Sequence, residues 1–544
     1  MTSALAPPAS VELSFDDGPD PRWTPVVLAA LRRLGARATF FVLAPRALAH
    51  PGVVAAITGD GHEVGLHGWD HLRHGRRRRD EVEHDTDRAL AALDALGIAP
   101  RRWRTPWGDL APWSAEVAAA RGLELTGWTA DSHDWRGDDA ETMLAALVPA
   151  LGPGGIVLMH DGLGPGALRS DCRETVRLLD PLCEVIRRRG WSVGAPVPDD
   201  VLAVVSAGAG ARDRESPEFP EGPFRLLERA GIPAATVPLG RPAPTPAYEW
   251  RLVRSVARAD GSIGRILDGH LNGVERLAAL APEPLRGDEL AAVAAGRRRI
   301  GVWGADPGPG EGPPATLHGS ASDRRVTGVK VFCSGAGGVD RALVTARDRA
   351  GRPVLVYLDV REGVVIDRSW YRGSGLRTSE SHRVELDDAP VLAVLGAPGE
   401  LTREPWFSRD AIRTAACWAG IADRAADAAL AALADRRDPG DLAALAAGRI
   451  LGAIATTDRW LDGAGREAAD PVSDLRETSV HLRAAVAAAC RTIVDEGTRA
   501  AGSRALVDGG DLDRCRRDLD LFLLQHRLEP LVARVGRAEL EGRG

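Results

Sequence analysis

Cysteine is scarce in this 544-residue sequence. The six cysteines include no CxxC pair, so a zinc knuckle is not expected, and their scatter does not indicate a disulfide framework. We therefore expect reduced cysteines that serve in packing, namely Cys172, Cys183, Cys333, Cys417, Cys490 and Cys515.

Long hydrophobic runs and targeting signals are also missing. No uninterrupted stretch of about 18 or more apolar residues occurs, which argues against a membrane-spanning helix. The opening MTSALAPPAS has neither the basic start nor the apolar centre of a signal peptide. The sequence thus predicts a soluble, cytoplasmic protein with no membrane span.

Charge of either sign is not in large excess. The 69 Lys and Arg residues and 76 Asp and Glu residues give a formal net charge of −7, so no global attraction to nucleic acid or to an anionic membrane is expected. With 44% hydrophobic residues the composition is that of a globular protein, but the chain is too long for a single core. We expect at least two domains.

The chain changes character along its length. From residue 11 to about 200, strand-like runs such as VELSF, ATFFVL, LELTGWTA and GGIVLMHD alternate with amphipathic runs such as TPVVLAALRRLG. Repeated strand–helix units predict a parallel sheet, here an α/β barrel or a barrel-like fold. We divide the chain into an N-terminal domain (1–205), a Gly- and Pro-rich linker (206–222), a helical segment (223–300), a strand-rich domain (301–395) and a C-terminal helical domain (396–544).

The stretch SFDDGPD, residues 14–20, places two carboxylates directly after an apolar run and before a turn. Adjacent acids repel each other, so the pair is costly unless a cation neutralises one acid and a partner holds the other. His67 and His71, four residues apart in GLHGWDH, follow the strand-like run HEVGL. Two imidazoles and one carboxylate would leave coordination positions open, as a hydrolytic Zn²⁺ or similar ion requires.

Three further motifs end strand-like runs: RTPWG at 104–108, DSHDW at 131–135 and LMHD at 158–161. Each motif alone is more simply explained as a loop or a strand end. In a parallel barrel, however, the carboxyl ends of the strands meet at one face. The motifs together are stronger evidence for a catalytic site than any one of them alone, because each follows a predicted strand, as residues of a site on that face would.

The motifs SFDDGP, HGWDH, RTPWG, DSHDW and LMHD, in this order, resemble those of the NodB-homology polysaccharide deacetylases, carbohydrate esterases of family 4 type. The resemblance covers about residues 11–200. It implies a distorted (β/α) barrel that uses one divalent metal to hydrolyse an N-acetyl or similar amide on a sugar. Zn²⁺ is the metal that we expect, with Co²⁺, Ni²⁺ and Mn²⁺ as alternatives.

The resemblance implies a role for each matched polar residue. Asp17, His67 and His71 would hold the metal. Asp16 would be the general base that takes a proton from the attacking water, and Arg104 would orient Asp16 and keep it ionised.

The remaining motifs would complete the reaction. His160 would protonate the departing amine, and Asp131 would hold its imidazole in the charged form. The backbone N–H of Trp107 would support the oxyanion, and Trp135 and Leu158 would line the pocket for the acyl methyl group.

Four arginines, residues 76–79, follow this set. They have two interpretations, as a contact for a phosphate or other acidic group of the substrate or as a solvated loop. Charge runs are more often solvated loops.

Two strand-rich stretches, ATLHGSASDRRVTGVKVFCSGAGGVDRALVTA and WYRGSGLRTSESHRVELDDAPV, resemble the middle β-domain of acyl-CoA dehydrogenases. The later stretch GTRAAGSRALVDGGDLDRCRRDLDLFLLQHRLEP resembles the closing helices of that family. The resemblance covers about residues 225–540 and implies helices, a β-barrel and a helical bundle, with FAD between the β-domain and the bundle. The sequence departs from the family pattern at WGADPGPGEGP, and no catalytic glutamate can be placed.

This second resemblance implies a set of flavin contacts. Ser334, Trp370, Thr378 and Ser379 would lie close to the flavin, and Arg514 or Arg517 would meet a pyrophosphate, which completes the set Ser334, Trp370, Thr378, Ser379, Arg514 and Arg517. The alternative is that the Ala-rich helices are packing faces that need no flavin.

We expect a metal-dependent hydrolase that acts on an N-acylated sugar or sugar conjugate, fused to an acyl-CoA dehydrogenase-like module that could bind FAD and form a homo-oligomer through its C-terminal helices. One alternative is a flavin-dependent oxidoreductase in which the deacetylase is an accessory activity. Another is a non-catalytic sugar-binding scaffold, against which the combination of a base, an acid and a set of metal ligands argues.

Overall fold

In the computed structural model, the N-terminal part of the chain alternates strands and helices as its sequence pattern predicts. The chain divides into two compact units, Ala6–Pro196 and Val197–Gly544. No helix among the described residues is both long enough and apolar enough to cross a membrane. The structure describes residues 10–34, 36–152, 155–189, 192–194, 197, 199–215, 218–238, 246–434, 440–468, 470, 473–507, 509–525 and 528–542.

Parallel strands form the centre of the first unit. They pair in the order β5-β4-β3-β2-β1-β7-β6, and β8 pairs with β1 as well. Their bounds are β1 Ser10–Asp16, β2 Ala38–Leu43, β3 Glu63–Gly68, β4 Arg102–Trp103, β5 Glu124–Leu125, β6 Ala130–Asp131, β7 Ile156–His160 and β8 Ser192–Val193.

The two ends of this sheet are consecutive in the chain. Strands β5 and β6 are the outermost strands of the order, and only residues 126–129 separate them. A short covalent link therefore takes the place of a hydrogen-bonded closure, which gives the distorted (β/α) barrel that the sequence predicts. Strands β1 and β2 are almost wholly buried, which is why they are continuous apolar runs in the sequence.

Helices cover the outside of the first sheet. Helix α1 packs its buried side chains Val27, Leu28 and Leu31 inward, at the helical spacing expected for one apolar face. The helices are α1 Trp23–Leu34, α2 Ala44–Ala49, α3 Pro51–Gly59, α4 Arg79–Asp94, α5 Ser114–Ala119, α6 Ala140–Leu147 and α7 Arg173–Arg188, with 3₁₀ turns at His74–Arg76, Pro106–Gly108 and Asp134–Arg136.

The second unit runs from helices to strands and back to helices. Its first helices are α8 Asp199–Ala207, α9 Ala209–Glu215, α10 Glu221–Arg229, α11 Pro246–Ala259, α12 Gly261–Leu280 and α13 Leu285–Ala294. Its strands are β9 Ile300–Trp303, β10 Thr316–Ser320, β11 Asp323–Cys333, β12 Arg341–Arg347, β13 Pro353–Asp359, β14 Val364–Asp367 and β15 His382–Leu395. Its last helices are α14 Trp406–Ala434, α15 Gly440–Glu467, α16 Arg476–Ala501, α17 Arg504–Val507, α18 Asp511–Phe522 and α19 Glu529–Gly542.

The strands of the second unit close into a barrel. They pair in the order β10-β11-β15-β13-β12-β9, and a further pairing of Thr316 with Arg347 joins β10 to β12. Strand β14 adds to β15. The closure leaves β9 and β14 as appended strands, and it confirms the β-barrel expected between two helical regions.

Buried ion pairs stabilise the helical part of the second unit. Arg413 of α14, of which 1% is exposed, donates to Glu275 (2.8 Å), to Asp410 (2.9 Å) and to Glu249. A buried guanidinium is tolerated because each of its nitrogens has an acceptor.

The structure differs from the sequence-based description in three details. The first unit ends at Pro196 rather than at residue 205, and 206–222 is not an irregular linker because it contains α9 and the start of α10. Its alanines favour a helix, and Arg212 on α9 pairs with Asp260 at 2.8 Å, so this stretch belongs to the second unit. The run LELTGWTA forms two short strands rather than one, and Gly127 lies between them.

Candidate functional site

The five motifs of the first unit converge at one edge of its sheet. Strand β1 ends at Asp16, β3 carries His67 as its penultimate residue, β6 ends at Asp131 and β7 ends at His160. Arg104 directly follows β4, and its N–H donates to Leu66 O of β3 (3.0 Å). Because the strands are parallel, their carboxyl ends share one edge, as the sequence predicts.

Asp17, His67 and His71 form a cluster with the geometry of a metal site. His71 Nε2 lies 3.1 Å and His67 Nε2 3.4 Å from Asp17 Oδ1. All three side chains are buried, and one potential ligand atom from each lies within 4.8 Å of the others. The structure therefore brings together the three residues that the sequence analysis proposed as ligands.

The backbone at two of these positions is unusual. Asp17 has φ 67° and His71 has φ 52°, both in the left-handed region that costs free energy for a residue with a Cβ atom. Gly164 leaves room for Asp17, because a Cβ atom at Gly164 would lie 1.9 Å from Asp17 Oδ2. The surrounding structure thus holds the ligand side chains in positions that local preference alone does not favour.

The polar atoms of the cluster fit a divalent cation. Among the described residues, Asp17 Oδ1 and His71 Nδ1 are buried without a hydrogen-bond partner. His67 Nδ1 donates to the carbonyl of Arg104 (2.8 Å), which leaves the lone pair on Nε2, the atom that faces Asp17. Burial acts to raise the pKa of Asp17, but the two imidazoles beside its carboxylate, those of His67 and His71, outweigh it and hold that pKa well below its usual range.

Asp16 has a separate partner on the buried side of the sheet. Arg104 Nη1 donates to Asp16 Oδ1 (2.8 Å) and to Ser14 Oγ (2.8 Å), and Nη2 donates to Gly127 O (2.8 Å). The guanidinium also lies over the Phe41 ring, with 4.1 Å between Cζ and the ring centroid. This geometry agrees with the role of Arg104 in orienting Asp16, and it leaves Asp16 Oδ2 3.9 Å from His67 Nε2.

His160 is oriented by Asp134, and the assignment of this role to Asp131 is wrong. His160 Nδ1 lies 2.7 Å from Asp134 Oδ1, and the His160 backbone N–H donates to Asp134 Oδ2 (3.0 Å). Asp131 instead turns back on its own loop and accepts from the His133 N–H (2.7 Å). Burial alone would lower the pKa of His160, but Asp134, with help from Asp16, raises that pKa to about 9.

Two residues behind Asp134 were not found from the sequence. Arg169 Nη1 (2.8 Å) and Thr175 Oγ1 (2.7 Å) both donate to Asp134 Oδ2. Burial opposes ionisation of Asp134, yet the charges of His160 and Arg169 lower its pKa to about 2. Neither Arg169 nor Thr175 lies at a strand end, so a search for polar residues at the carboxyl ends of strands could not find them.

Asp161, next to His160, is a second buried acid that the sequence analysis left without a role. It hydrogen-bonds to Thr24 near the start of α1. Burial, aided by the charges of Asp17 and Asp16, raises its pKa to about 7.

The three residues expected to line the substrate site differ in exposure. Trp107 is 41% exposed, and its ring centroid lies 4.0 Å from that of His71, which places its indole at the mouth of the site. Leu158 is 5% exposed and is the register partner of Ser14. Trp135 is half-buried in the 3₁₀ turn that begins with Asp134. Their contacts with a substrate remain predictions.

In the second unit, the predicted flavin contacts fall into two groups. Ser334 and Ser379 are joined through Ser381, whose Oγ lies 2.9 Å from Ser334 Oγ and 2.8 Å from Ser379 Oγ. Thr378 is buried in the same 3₁₀ turn as Ser379. Trp370 lies apart from these contacts, with its Nε1 donating to Glu311 (3.1 Å).

The two arginines of helix α18 that we expect to contact the flavin differ in the hydrogen-bond donors that they leave unpaired. Arg514 is buried, and its Nε and Nη1 have no hydrogen-bond partner within the described part of the chain. Arg517 is held by Asp213 (2.6 Å), by Asp513 (2.9 Å) and by the carbonyl of Ser374. The unpaired N–H donors of Arg514 fit an anionic group such as a flavin phosphate. The N–H donors of Arg517 already form hydrogen bonds within the protein.

Solved structures share the fold of the second unit. TdsC from Paenibacillus sp. A11-2, in complex with FMN and indole, has a TM-score of 0.56 at 18% identity and covers 63% of this chain and 96% of its own. KijD3, in complex with FMN and dTDP-3-amino-2,3,6-trideoxy-4-keto-3-methyl-D-glucose, has a TM-score of 0.53 at 23% identity and covers 60% of this chain and 86% of its own. The predicted acyl-CoA dehydrogenase-like fold is confirmed.

The first unit has relatives in sequence. A family model described as polysaccharide deacetylase matches residues 5–126. A chitooligosaccharide deacetylase from Bradyrhizobium sp. (strain ANU 289) is 36% identical over 203 residues, which are 35% of this chain and 89% of that protein. Through its first unit the chain therefore belongs to the polysaccharide deacetylase family.

Proposed function

We propose that the first unit hydrolyses the N-acetyl, or a similar N-acyl, group of an amino sugar with Zn²⁺ held by Asp17, His67 and His71. The observation that carries the proposal is that a metal-ligand cluster, a carboxylate and an imidazolium share one edge of the sheet. Asp16 and His160 are register partners on β1 and β7, so the base and the acid lie on adjacent strands. The similarity to a chitooligosaccharide deacetylase supports the substrate class.

The chain's residues divide the proton transfers between them. A bound divalent cation would polarise the amide carbonyl and lower the pKa of a water molecule. Asp16, fixed by Arg104, takes a proton from the attacking water as the water oxygen bonds to the acyl carbon. His160 gives its Nε2 proton to the amide nitrogen as the C–N bond breaks, since Nδ1 is committed to Asp134. The products are a carboxylic acid and the free sugar amine.

The experiment is acetate release from N-acetylated amino sugars together with metal analysis of the purified protein. Asp16→Asn should lower turnover by about 100-fold or more at unchanged metal content, because it removes the base and keeps the ligands. His67→Ala should lose the metal itself. His84→Ala, which alters an exposed histidine of α4, is the control. Full turnover by Asp16→Asn on a good substrate would contradict the assignment.

We propose a second activity for the second unit, because its fold is that of the FMN-bound TdsC and KijD3. The unit would bind FMN or FAD and oxidise the amine that the first unit releases. A bound flavin, reduced by an external two-electron donor, would supply two electrons to O₂, of which one oxygen atom would become the N-hydroxyl oxygen and the other water. The KijD3 complex contains an amino sugar, which is the class of compound that the hydrolysis yields.

The flavin proposal has its own test. The purified full chain should show flavin absorption, or gain it on incubation with FMN or FAD, and Arg514→Ala should weaken flavin retention. Arg516→Ala is the matched control, because Arg516 lies on the same helix and pairs with Asp513 and Asp520. A chain that binds neither flavin would contradict this second activity and would leave the hydrolase proposal intact.

A further inference from the structure

The arginine run beside the site is divided between paired and unpaired side chains. Arginines 77–79 are all close to carboxylates on α4, in the pairs Arg77–Glu81 (3.7 Å), Arg78–Asp80 and Arg79–Glu83 (2.8 Å). Their positive charges are locally balanced, so they offer little to a ligand. This agrees with the solvated-loop interpretation for that part of the run.

Arg73, two residues after the metal ligand His71, is different. Its guanidinium carbon lies 4.2 Å from the ring centroid of Trp107, whose ring lies 4.0 Å from the imidazole of His71. Within the described part of the chain Arg73 has no carboxylate partner. A single indole thus separates an unneutralised guanidinium from a metal-ligand ring.

Arg76 adds a second positive charge on the same turn. Its backbone N–H donates to Arg73 O (3.1 Å), and its side chain is also without a carboxylate partner among the residues described. The carboxylate of Asp109, on this rim, accepts the Gly75 N–H (3.2 Å) instead of a guanidinium. Two neighbouring arginines, Arg73 beside Trp107 and Arg76 on the same turn, are therefore without a carboxylate partner among the described residues.

The stacking of Arg73 on Trp107 determines what it can bind. The indole holds the guanidinium through a cation–π contact, while the N–H groups at the guanidinium edge stay free to form paired hydrogen bonds with an oxyanion. A phosphate monoester carries a charge of about −1.5 to −2 at neutral pH, which matches two guanidiniums better than a single carboxylate does. Trp107 is 41% exposed, so the pair is accessible from solvent.

We propose that Arg73, stacked on Trp107 and aided by Arg76, is a phosphate-binding subsite, and that the substrate of the first unit is an N-acyl amino sugar that carries a phosphate group. This inference rests on the proposed hydrolase function and narrows its substrate class. Arg73 acts by binding and takes no part in the proton transfers. The subsite selects small phosphorylated sugars over uncharged chitin-like chains.

The test compares acetate release by the full chain from N-acetylglucosamine, its 1-phosphate, its 6-phosphate and the carboxylate-bearing N-acetylmuramic acid. At least one phosphate should raise kcat/KM about 10-fold or more over the uncharged sugar, mainly through KM. In Arg73→Ala this ratio should fall by a similar factor, and Arg73→Lys should keep part of it. Arg78→Ala, which removes an exposed and already paired arginine, should keep the wild-type ratio.

The outcomes separate this inference from the function on which it rests. Equal kcat/KM for phosphorylated and uncharged sugars, or an unchanged ratio in Arg73→Ala, would overturn the phosphate subsite and leave the hydrolase intact. A preference for the carboxylate would also overturn it. If no sugar releases acetate, the hydrolase proposal fails, and calorimetric binding of the two sugar phosphates to the wild type, Arg73→Ala and Arg78→Ala still decides the role of Arg73.

Discussion

Asp134→Asn tests the assignment of the acid and its partner most directly. The substitution keeps the shape of the side chain but removes the charge that raises the pKa of His160 to about 9. Burial then acts on the imidazole against only the charges of Asp16 and Asp17, so its pKa should fall towards the ordinary value of about 6.5. Because the acid role needs protonated His160, activity should be lost at alkaline pH first.

The size of the loss follows from the two pKa values. At pH 8 an imidazole with a pKa of about 9 is about 90% protonated, whereas one with a pKa of about 6.5 is about 3% protonated, so kcat/KM should fall about 30-fold from protonation alone. The assay is the pH dependence of kcat/KM at saturating metal, with the ring nitrogens of His160 followed by NMR. Asp131→Asn is the control, because Asp131 contacts His133 and not His160.

The reasoning would be refuted if the alkaline limb of the pH profile stayed in place in Asp134→Asn, or if Asp131→Asn moved it equally. A variant that no longer folds would not give a profile, so unfolding should be recorded for both proteins. Thr175→Val offers a milder change, since it removes one hydrogen bond to Asp134 and leaves the carboxylate charged. It should shift the alkaline limb less than Asp134→Asn does.

Three further outcomes are expected. Chelation of the metal should lower the unfolding temperature of the first unit only, because the proposed ligands Asp17 and His71 keep the free-energy cost of their left-handed backbone without the cation that offsets it. Differential scanning calorimetry would check this. An equal decrease in the unfolding temperatures of both units would contradict it. Arg413→Ala should lower the free energy of unfolding of the second unit by about 3–5 kcal/mol, since it strands buried carboxylates, against about 1 kcal/mol or less for the more exposed Arg516→Ala in denaturant titrations. Asp161 has a folded pKa of about 7, above its unfolded value, so its contribution to stability is present below about pH 4 and is lost as pH rises towards 7; Asp161→Asn should not show this loss in unfolding curves across that range.

The metal cluster could be predicted because its residues obey a topological rule. Asp17, His67 and His71 each lie at or just after the end of a parallel strand, and the carboxyl ends of such strands meet at one edge whatever the loop details are. The parallel strand order alone therefore predicts that these residues lie close together, and the side-chain conformations are not needed for that prediction. Arg104 follows the same rule, and its partner Asp16 was predicted with it.

The partner of His160 could not be predicted by that rule. The motif DSHDW offers two acids, Asp131 at the end of β6 and Asp134 three residues later. His133 adopts φ 54°, and the 3₁₀ turn that follows carries Asp134 to the His160 ring, while Asp131 bonds back to its own loop. A choice between two acids three residues apart depends on one backbone dihedral angle, which periodicity and composition do not encode.

The second unit shows the opposite case, in which the fold was clearer than the site. Strand-like and Ala-rich helical runs predicted a strand-rich region between two helical regions, and the resemblance to acyl-CoA dehydrogenases implied that its strands form a barrel. Strands β9–β15 span residues 300–395. The flavin contacts, in contrast, depend on how side chains pair, which the sequence pattern does not encode. Arg514 and Arg517 lie on one helix, yet Arg517 pairs with both Asp213 and Asp513, whereas Arg514 pairs with Asp511.

The adjacent acids Asp16 and Asp17 can have different partners because the strand ends between them. Asp16 is the last residue of β1 and lies two residues after Ser14, so the two side chains are on the same side of the strand. Both accept hydrogen bonds from Arg104 there. Asp17 has already left the strand, and its φ of 67° turns its carboxylate to His67 and His71. If β1 continued through residue 17, the Asp17 side chain would still point away from that of Asp16. It would then lie on the outer face of the sheet, where helices pack. A turn, rather than a pleat, separates the two carboxylates, which allows the dipeptide the two roles that we propose for it, a base and a metal ligand.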